Sequence, residues 1–201
     1  HYHVANRGGV IEPPEADVWD DEPPFLLSVA MNFEQKGGDT ILAAFKKLKE
    51  RCPELRWHIV GGRPSGDWQA VDGIVYEGVL KPDKHDELAR FRELFDKAFL
   101  LVNPTREDTS PLVITEAAYF GCPSISVNKF AIPELVIDGE TGILLDDPIA
   151  PEALAEAISR LLVDCKLYRQ MRTRAFEFSH THFNWDRVGE QMAEKIEAAL
   201  T

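Results

Sequence analysis

The sequence predicts an α/β domain: a doubly wound parallel sheet, with helices closing its C-terminal end. Three observations carry this. Short apolar runs alternate with amphipathic runs at helical spacing from residue 25 to residue 145. Glycines stop several of the apolar runs, as at Gly61-Gly62 and Gly121. Short apolar strands separated by helices imply a parallel sheet covered on both faces.

The elements follow in order. Residues 1–24 are rich in Gly, Pro, Asp and Glu and read as an extended arm or linker. Residues 25–30 (FLLSVA) form a first strand. Residues 39–51 carry Ile41, Leu42, Phe45 and Leu48 at helical spacing and form an amphipathic helix. Strands follow at 56–60 and 73–76. Residues 85–97 place Leu88, Phe91, Leu94 and Phe95 on one helical face. A fourth strand covers 99–102, and its helix runs from about Pro111 to Tyr119, closed by Gly121. A fifth strand spans 124–127, a short helix starts at Ile132, and a sixth strand spans 142–145. From Pro151 the chain is helical, broken near 180–184, with a last helix over 185–200. The boundaries expected are an arm at 1–22, the sheet domain at 23–183 and a closing helix at 184–201.

Composition narrows the function classes. The chain has 201 residues and is 44% hydrophobic, enough for a sizeable core. Its net charge of -12 argues against nucleic acid as a partner, because phosphate backbones attract basic surfaces. It leaves room for a small phosphate ligand held by local donors. Cys52, Cys122 and Cys165 are widely spaced and odd in number, which points to reduced thiols and a cytoplasmic setting. No apolar run approaches the roughly 20 residues that span a bilayer. The opening HYHVANRGG lacks the apolar centre of a signal peptide, and the chain reads as a domain cut from a longer one.

In such sheets ligands bind at the carboxyl ends of strands, and three loops there carry candidate chemistry. The most informative is PTREDTSPLVITEA, residues 104–117. Thr109 or Ser110 is placed to cap the following helix, and Pro111 suits its first turn. The backbone N–H groups of Leu112, Val113 and Ile114 then point outward unpaired, and with the helix dipole they form an anion site. Asp108 lies before the helix and Glu116 inside it, with seven residues between them. Glu116 can face the same cleft and accept from a ribose diol, and Asp108 can reach a sugar hydroxyl. The plainer alternative makes Asp108 a residue ordering the helix start and Glu116 a solvated carboxylate.

The second loop, residues 31–38 (MNFEQKGG), places Lys36 before a glycine pair and a helix start. An ammonium there can pair with a phosphate, and Gly37 and Gly38 let a ligand or another loop approach the backbone. A solvated lysine in a turn explains the same residues, and the pattern is neither GxGxxG nor a P-loop. The third loop, residues 128–134, reaches the same sheet edge, although Ile132-Pro133 also suits plain packing and helix initiation. His180 and His182 lack a third metal ligand by spacing, and no Asp-x-Asp pair occurs, so no metal or cofactor is expected. Cys122 reads as a small buried residue.

At these loops the chain resembles the C-terminal, donor-binding domain of the retaining glycosyltransferases of family 4, also called glycosyl transferases group 1. FLLSVAMNFEQKGGDTILAAF is similar to the family's first strand, Lys-Gly loop and helix, and LRWHIVGG to its second strand. Residues 91–145 are similar to the family signature almost throughout, and FNWDRVGEQM to the start of its closing helix. The resemblance covers roughly residues 20–200. It implies a GT-B enzyme with two Rossmann-like domains flanking a cleft, of which this chain supplies the second and lacks the acceptor-binding N-terminal domain. By the same resemblance Lys36 binds the diphosphate of a nucleotide-sugar donor and Glu116 the ribose hydroxyls. Asp108 faces the transferred sugar, and the backbone from Thr109 through Ser110, Leu112 and Val113 to Ile114 lines the diphosphate and sugar.

The chain departs from the family at four places. Asp108 is one methylene shorter than the usual glutamate. Met31 stands where many members carry an arginine, Pro111 replaces a common glycine, and Phe130-Ala131 replaces a glycine pair. The expected activity is retaining transfer of a hexosyl group, with Lys36 and Asp108 as the catalytic pair and no transfer by this half alone. The alternatives are a non-catalytic nucleotide-binding module of the same fold or a nucleotide-sugar epimerase. The region after Tyr76, near Gly78-Val79-Leu80, is expected to hold the base.

Overall fold

The computed structural model describes residues 24–200, so the arm expected at 1–22 lies outside the described residues. Strands and helices alternate along them: β1 (Phe25–Ala30), α1 (Gly38–Lys49), β2 (Arg56–Gly61), β3 (Ile74–Gly78), α2 (His85–Lys97), β4 (Leu100–Asn103), α3 (Leu112–Tyr119), β5 (Ser124–Val127), β6 (Gly142–Leu145), α4 (Pro151–Val163), α5 (Cys165–His182) and α6 (Trp185–Leu200). The strands form one sheet in the order β3-β2-β1-β4-β5-β6, and every neighbouring pair is parallel. The chain starts at the centre, builds outward to β3, then crosses back to lay β4 beside β1. The loops leaving β1 and β4 therefore part to opposite sides and open a crevice at their carboxyl ends.

Two cores cover the two faces of the sheet. On one, Ile41 and Phe45 of α1 and Leu154 and Ile158 of α4 pack on Trp57, Ile59, Leu100 and Ile125. On the other, Phe91 and Phe95 of α2 and Ile114 and Ala117 of α3 pack on Leu27, Leu101 and Val127. Each buried Leu, Ile, Val or Phe among them contributes about 1.5–3 kcal/mol by leaving water. Trp57 is fully buried, and its indole N–H donates to Ser28 Oγ at 2.9 Å, which satisfies its one polar atom.

Local chemistry explains where helices stop. Gly121, at φ 63°, donates to Ala118 O, while Cys122 N–H reaches Ala117 O. This double bond is the left-handed glycine ending expected for α3. The helix expected to run on from Pro151 breaks earlier than predicted, at Asp164. That carboxylate accepts from Leu167 N at 2.9 Å and starts α5 as a new helix. The expected break near 180–184 narrows to Phe183 and Asn184, where Asn184 Oδ1 accepts from Arg187 N at 2.8 Å. The helix expected from Ile132 is a single tight turn, Ile132–Glu134.

One buried polar group couples the sheet to pH. His58 on β2 touches Glu77 Oε1 at 2.7 Å, and Glu77 in turn accepts from Arg90 Nη2 at 2.6 Å. Burial holds the His58 imidazole below the ordinary value of 6.5, and the Glu77 hydrogen bond offsets this only in part. The folded protein therefore binds this proton less readily than the unfolded chain. The stability of the neutral ring is present above about pH 6.5 and is lost as pH falls through the lower folded value. Urea unfolding midpoints should fall between pH 7.5 and 5.5, and the slope should flatten in His58→Gln. An equal slope in that variant would assign the effect to other groups.

Candidate functional site

The crevice at the switch point is built by loops that hold one another. The loop after β1 is turned by Asn32, whose Oδ1 accepts from Gln35 N at 3.0 Å. Gly37 has φ 72°, and a Cβ there would sit 2.3 Å from Pro104 O. The glycine thus lets the loop after β4 press on its backbone; of the two approaches open in the sequence, this one is a loop, not a ligand. Arg106 completes the clamp. Its guanidinium meets Asp39 Oδ2 at 2.7 Å and Glu34 O at 2.5 Å, and its N–H donates to Gln35 O at 2.9 Å. Partial burial works against the Asp39 charge, but the Arg106 hydrogen bond, its charge and the backbone N–H groups of the helix start together lower the carboxyl. The third loop joins through Ala131 N–H, which donates to Thr109 O at 3.1 Å. The loop after β2 joins through Ser65 Oγ, which donates to Glu34.

Lys36 Nζ and Asp108 Oδ2 form an ion pair across the crevice, 72 residues apart in sequence. Both side chains are less than a quarter exposed. They line an open cleft of about 360 Å³ together with Met31, Asn103, Leu112 and Val113. The cleft continues along Val60, Val79 and Leu80, so the segment expected to hold the base forms its apolar end.

The sequence-based site is thus partly assembled. Lys36, Asp108, Leu112 and Val113 line the cleft; Thr109, Ser110 and Glu116 do not. Two details of the helix start differ from expectation. Neither Thr109 nor Ser110 caps α3; Pro111 occupies that position at φ -69° without a side-chain cap. The Ser110 N–H instead donates to Asp108 Oδ1 at 3.2 Å, so Asp108 orders the loop while its other oxygen meets Lys36. The Ile114 N–H is taken by Pro111 O at 3.1 Å. Among the described residues no acceptor is found for the N–H groups of Leu112 and Val113, which leaves two outward donors rather than three. Glu116 is only 6% exposed, so it is no solvated carboxylate.

Arg106, Asn32 and Gln35 were missed in the sequence. Arg106 lies in the stretch singled out, but its carboxylate partner is 67 residues away and no local pattern marks the pair. Other candidates have structural roles. His180 and His182 stack on Phe176 and Phe178 with centroids 4.0 and 4.3 Å apart. Among the described residues no cluster of three metal-ligating side chains occurs. Burial pushes the Cys122 thiol up to about 12, which makes it unreactive. Ile132 is fully buried, in keeping with its packing role.

Solved structures repeat this architecture. Similar chains include WaaG, a glycosyltransferase involved in lipopolysaccharide biosynthesis, at a TM-score of 0.72 and 20% identity, covering 85% of this chain and 46% of that one. Another is sucrose-phosphate synthase from Thermosynechococcus elongatus, at a TM-score of 0.70 and 26% identity, covering 89% and 46%. The six-stranded parallel sheet with helices on both faces is the Rossmann-like domain of GT-B glycosyltransferases. The sequence profile of the glycosyl transferases group 1 matches residues 12–178, and the chain belongs to that family. Among curated relatives, a D-inositol 3-phosphate glycosyltransferase of Corynebacterium diphtheriae is 29% identical over 170 residues, 78% of this chain and 38% of the relative. A GDP-mannose-dependent alpha-(1-6)-phosphatidylinositol monomannoside mannosyltransferase of Mycobacterium tuberculosis is 25% identical over 186 residues, 86% of this chain and 47% of the relative. The chain spans less than half the length of these relatives.

Proposed function

We propose that this chain is the nucleotide-diphospho-sugar-binding half of a retaining glycosyltransferase that transfers a hexosyl group. The observation that carries the reading is the convergence, in one cleft, of the Lys36 ammonium with the two outward N–H groups at the start of α3. The diphosphate would lie across these donors, with the nucleoside toward Val79 and Leu80. Glu116 lies one turn into α3, behind the cleft lining, so it would take the ribose hydroxyls where the bound nucleotide reaches past that lining.

Lys36 exchanges its Asp108 partner for the diphosphate oxygens. Its charge and the helix start then stabilise the nucleoside diphosphate as it departs from the anomeric carbon. Asp108, released, turns its carboxylate to the sugar. Charge neutralisation in this reading comes from the chain itself, without a cofactor.

A second domain completes the site. α6 leaves Trp185, Met192, Ile196 and Leu200 exposed, and their spacing puts them along one face. Such a stripe is what an acceptor-binding domain would cover. Among the described residues no helix is long and apolar enough to cross a membrane. Free Cys52, Cys122 and Cys165 fit the cytoplasmic, reduced setting we assign.

Titration calorimetry with uridine, guanosine and adenosine diphosphates tests the donor site. We expect weak binding by residues 1–201, a loss of about tenfold in Glu116→Ala, equal to about 1.4 kcal/mol, and no hexose transfer. Unchanged affinity in that variant would remove Glu116 from the site, and robust transfer by this chain alone would sink the half-enzyme reading. One observation favours a rival: among the described residues, the single lining cation is already paired with Asp108, and Met31, 71% exposed, adds no charge. A non-catalytic nucleotide-binding module would bind the diphosphate as predicted, yet transfer nothing even with an acceptor domain supplied.

A further inference from the structure

Among the described residues, Phe130 is the non-glycine residue held in a left-handed backbone, at φ 59°. A bulky aromatic is strained there, and glycine would not be. Burial does not offset the strain, because Phe130 is 44% exposed. Its neighbours nevertheless hold it in place. The Ala131 N–H is bonded to Thr109 O, the Lys129 N–H to Val127 O at 2.9 Å, and Ile132 is fully buried. The Lys129 ammonium lies 4.9 Å from the ring centroid while pairing with Asp147 at 2.8 Å. The strain is therefore kept at a position whose exposed product is an aromatic ring. Strain retained in this way clusters at active sites and ligand clamps.

Position says which ligand group. Along the carboxyl edge, the cleft begins with apolar Val60, Val79 and Leu80 beyond β2 and β3. The charged pair and the α3 donors follow between β1 and β4. Phe130 comes next, on the loop after β5, bonded through Ala131 to the loop that carries Asp108. A nucleotide sugar has the same linear order: nucleoside, diphosphate, sugar. We propose that Phe130 is the residue that reads the donor sugar, its ring packing on the C–H face of the hexose beyond the diphosphate. This rests on the donor-site reading above.

The test separates the two. Calorimetry compares hexose conjugates of uridine and guanosine diphosphate with the parent diphosphates, and the readout is the affinity ratio of conjugate to parent. The wild-type chain should prefer at least one hexose conjugate. In Phe130→Gly that preference should fall at least fivefold, with affinity for the parent diphosphate within twofold and no drop in thermal midpoint. Phe130→Leu, which keeps the strained backbone but lacks the aromatic face, should lose the preference too, and Phe130→Tyr should keep it. An unchanged ratio in Phe130→Gly overturns the assignment while leaving the donor site standing. So does a wild-type chain that binds every conjugate no better than its parent. Failure of the wild type to bind any diphosphate sinks the donor-site reading and this assignment together.

Discussion

Replacing Lys36 with alanine should weaken nucleoside diphosphate binding roughly 10- to 100-fold, the range expected when a charge-assisted hydrogen bond worth about 1.5–3 kcal/mol is lost. Two effects act in the same direction. The variant removes the one cleft-lining cation among the described residues, and it leaves the Asp108 carboxylate uncompensated beside the incoming anion. The pairing seen here adds a sharper expectation. If the diphosphate takes Lys36 from Asp108 as proposed, Asp108→Asn should bind the diphosphate more tightly than the unmodified chain, by a few-fold. In the complete enzyme the same variant should transfer more slowly, because the carboxylate assigned to the sugar is gone. Calorimetry on both variants and the double variant closes a cycle that measures the coupling. Weaker binding in Asp108→Asn would mean that Asp108 supports the anion site rather than guarding it.

Gly37→Ala should be strongly damaging, because it combines a left-handed backbone with a backbone clash. The left-handed backbone costs an L-residue about 1–2 kcal/mol. The added Cβ also meets Pro104 O at 2.3 Å, a contact with backbone that no rotamer relieves. Overpacking of this kind adds about 1–3 kcal/mol. The urea midpoint should fall accordingly, and diphosphate affinity should fall with it even where the protein remains folded. The displaced loop carries Lys36 one residue away and Gln35 two residues away, and both line the cleft. Gly66→Ala serves as the control: its backbone is also left-handed, at φ 80°, but a Cβ there meets nothing within 4 Å. Its loss of stability should be confined to the backbone part. Equal losses in the two variants would deny the loop contact its role.

The fold was legible because its signals are local. Residues 25–30 and 124–127 are buried strands where apolar runs placed them, and α1 turns Ile41, Phe45 and Leu48 inward at the spacing that predicted it. The glycine ending of α3 was visible for the same reason, since it involves neighbouring residues. The errors were also local, where side chains competed for one backbone group. Asp164 took Leu167 N–H and split a helix that hydropathy alone would have continued. Asp108, not Thr109 or Ser110, accepts within the loop before α3, and the cap position falls to Pro111, which carries no side-chain acceptor.

The sequence by itself determined the class of fold and singled out the loops of Lys36 and Asp108, which the structure brings together at one sheet edge. Tertiary structure alone decided the partnerships: Lys36 with Asp108, Arg106 with Asp39, Gly37 against Pro104, and the third loop bonded at Thr109. These contacts join residues far apart in the chain, so they leave no periodic trace. They exist because the crossover from β3 back to β4 sets two distant loops side by side at the switch point. The same packing of loops holds Phe130 in its strained conformation on the loop after β5, bonded through Ala131 to the loop of Asp108, a feature that no single residue pattern encodes.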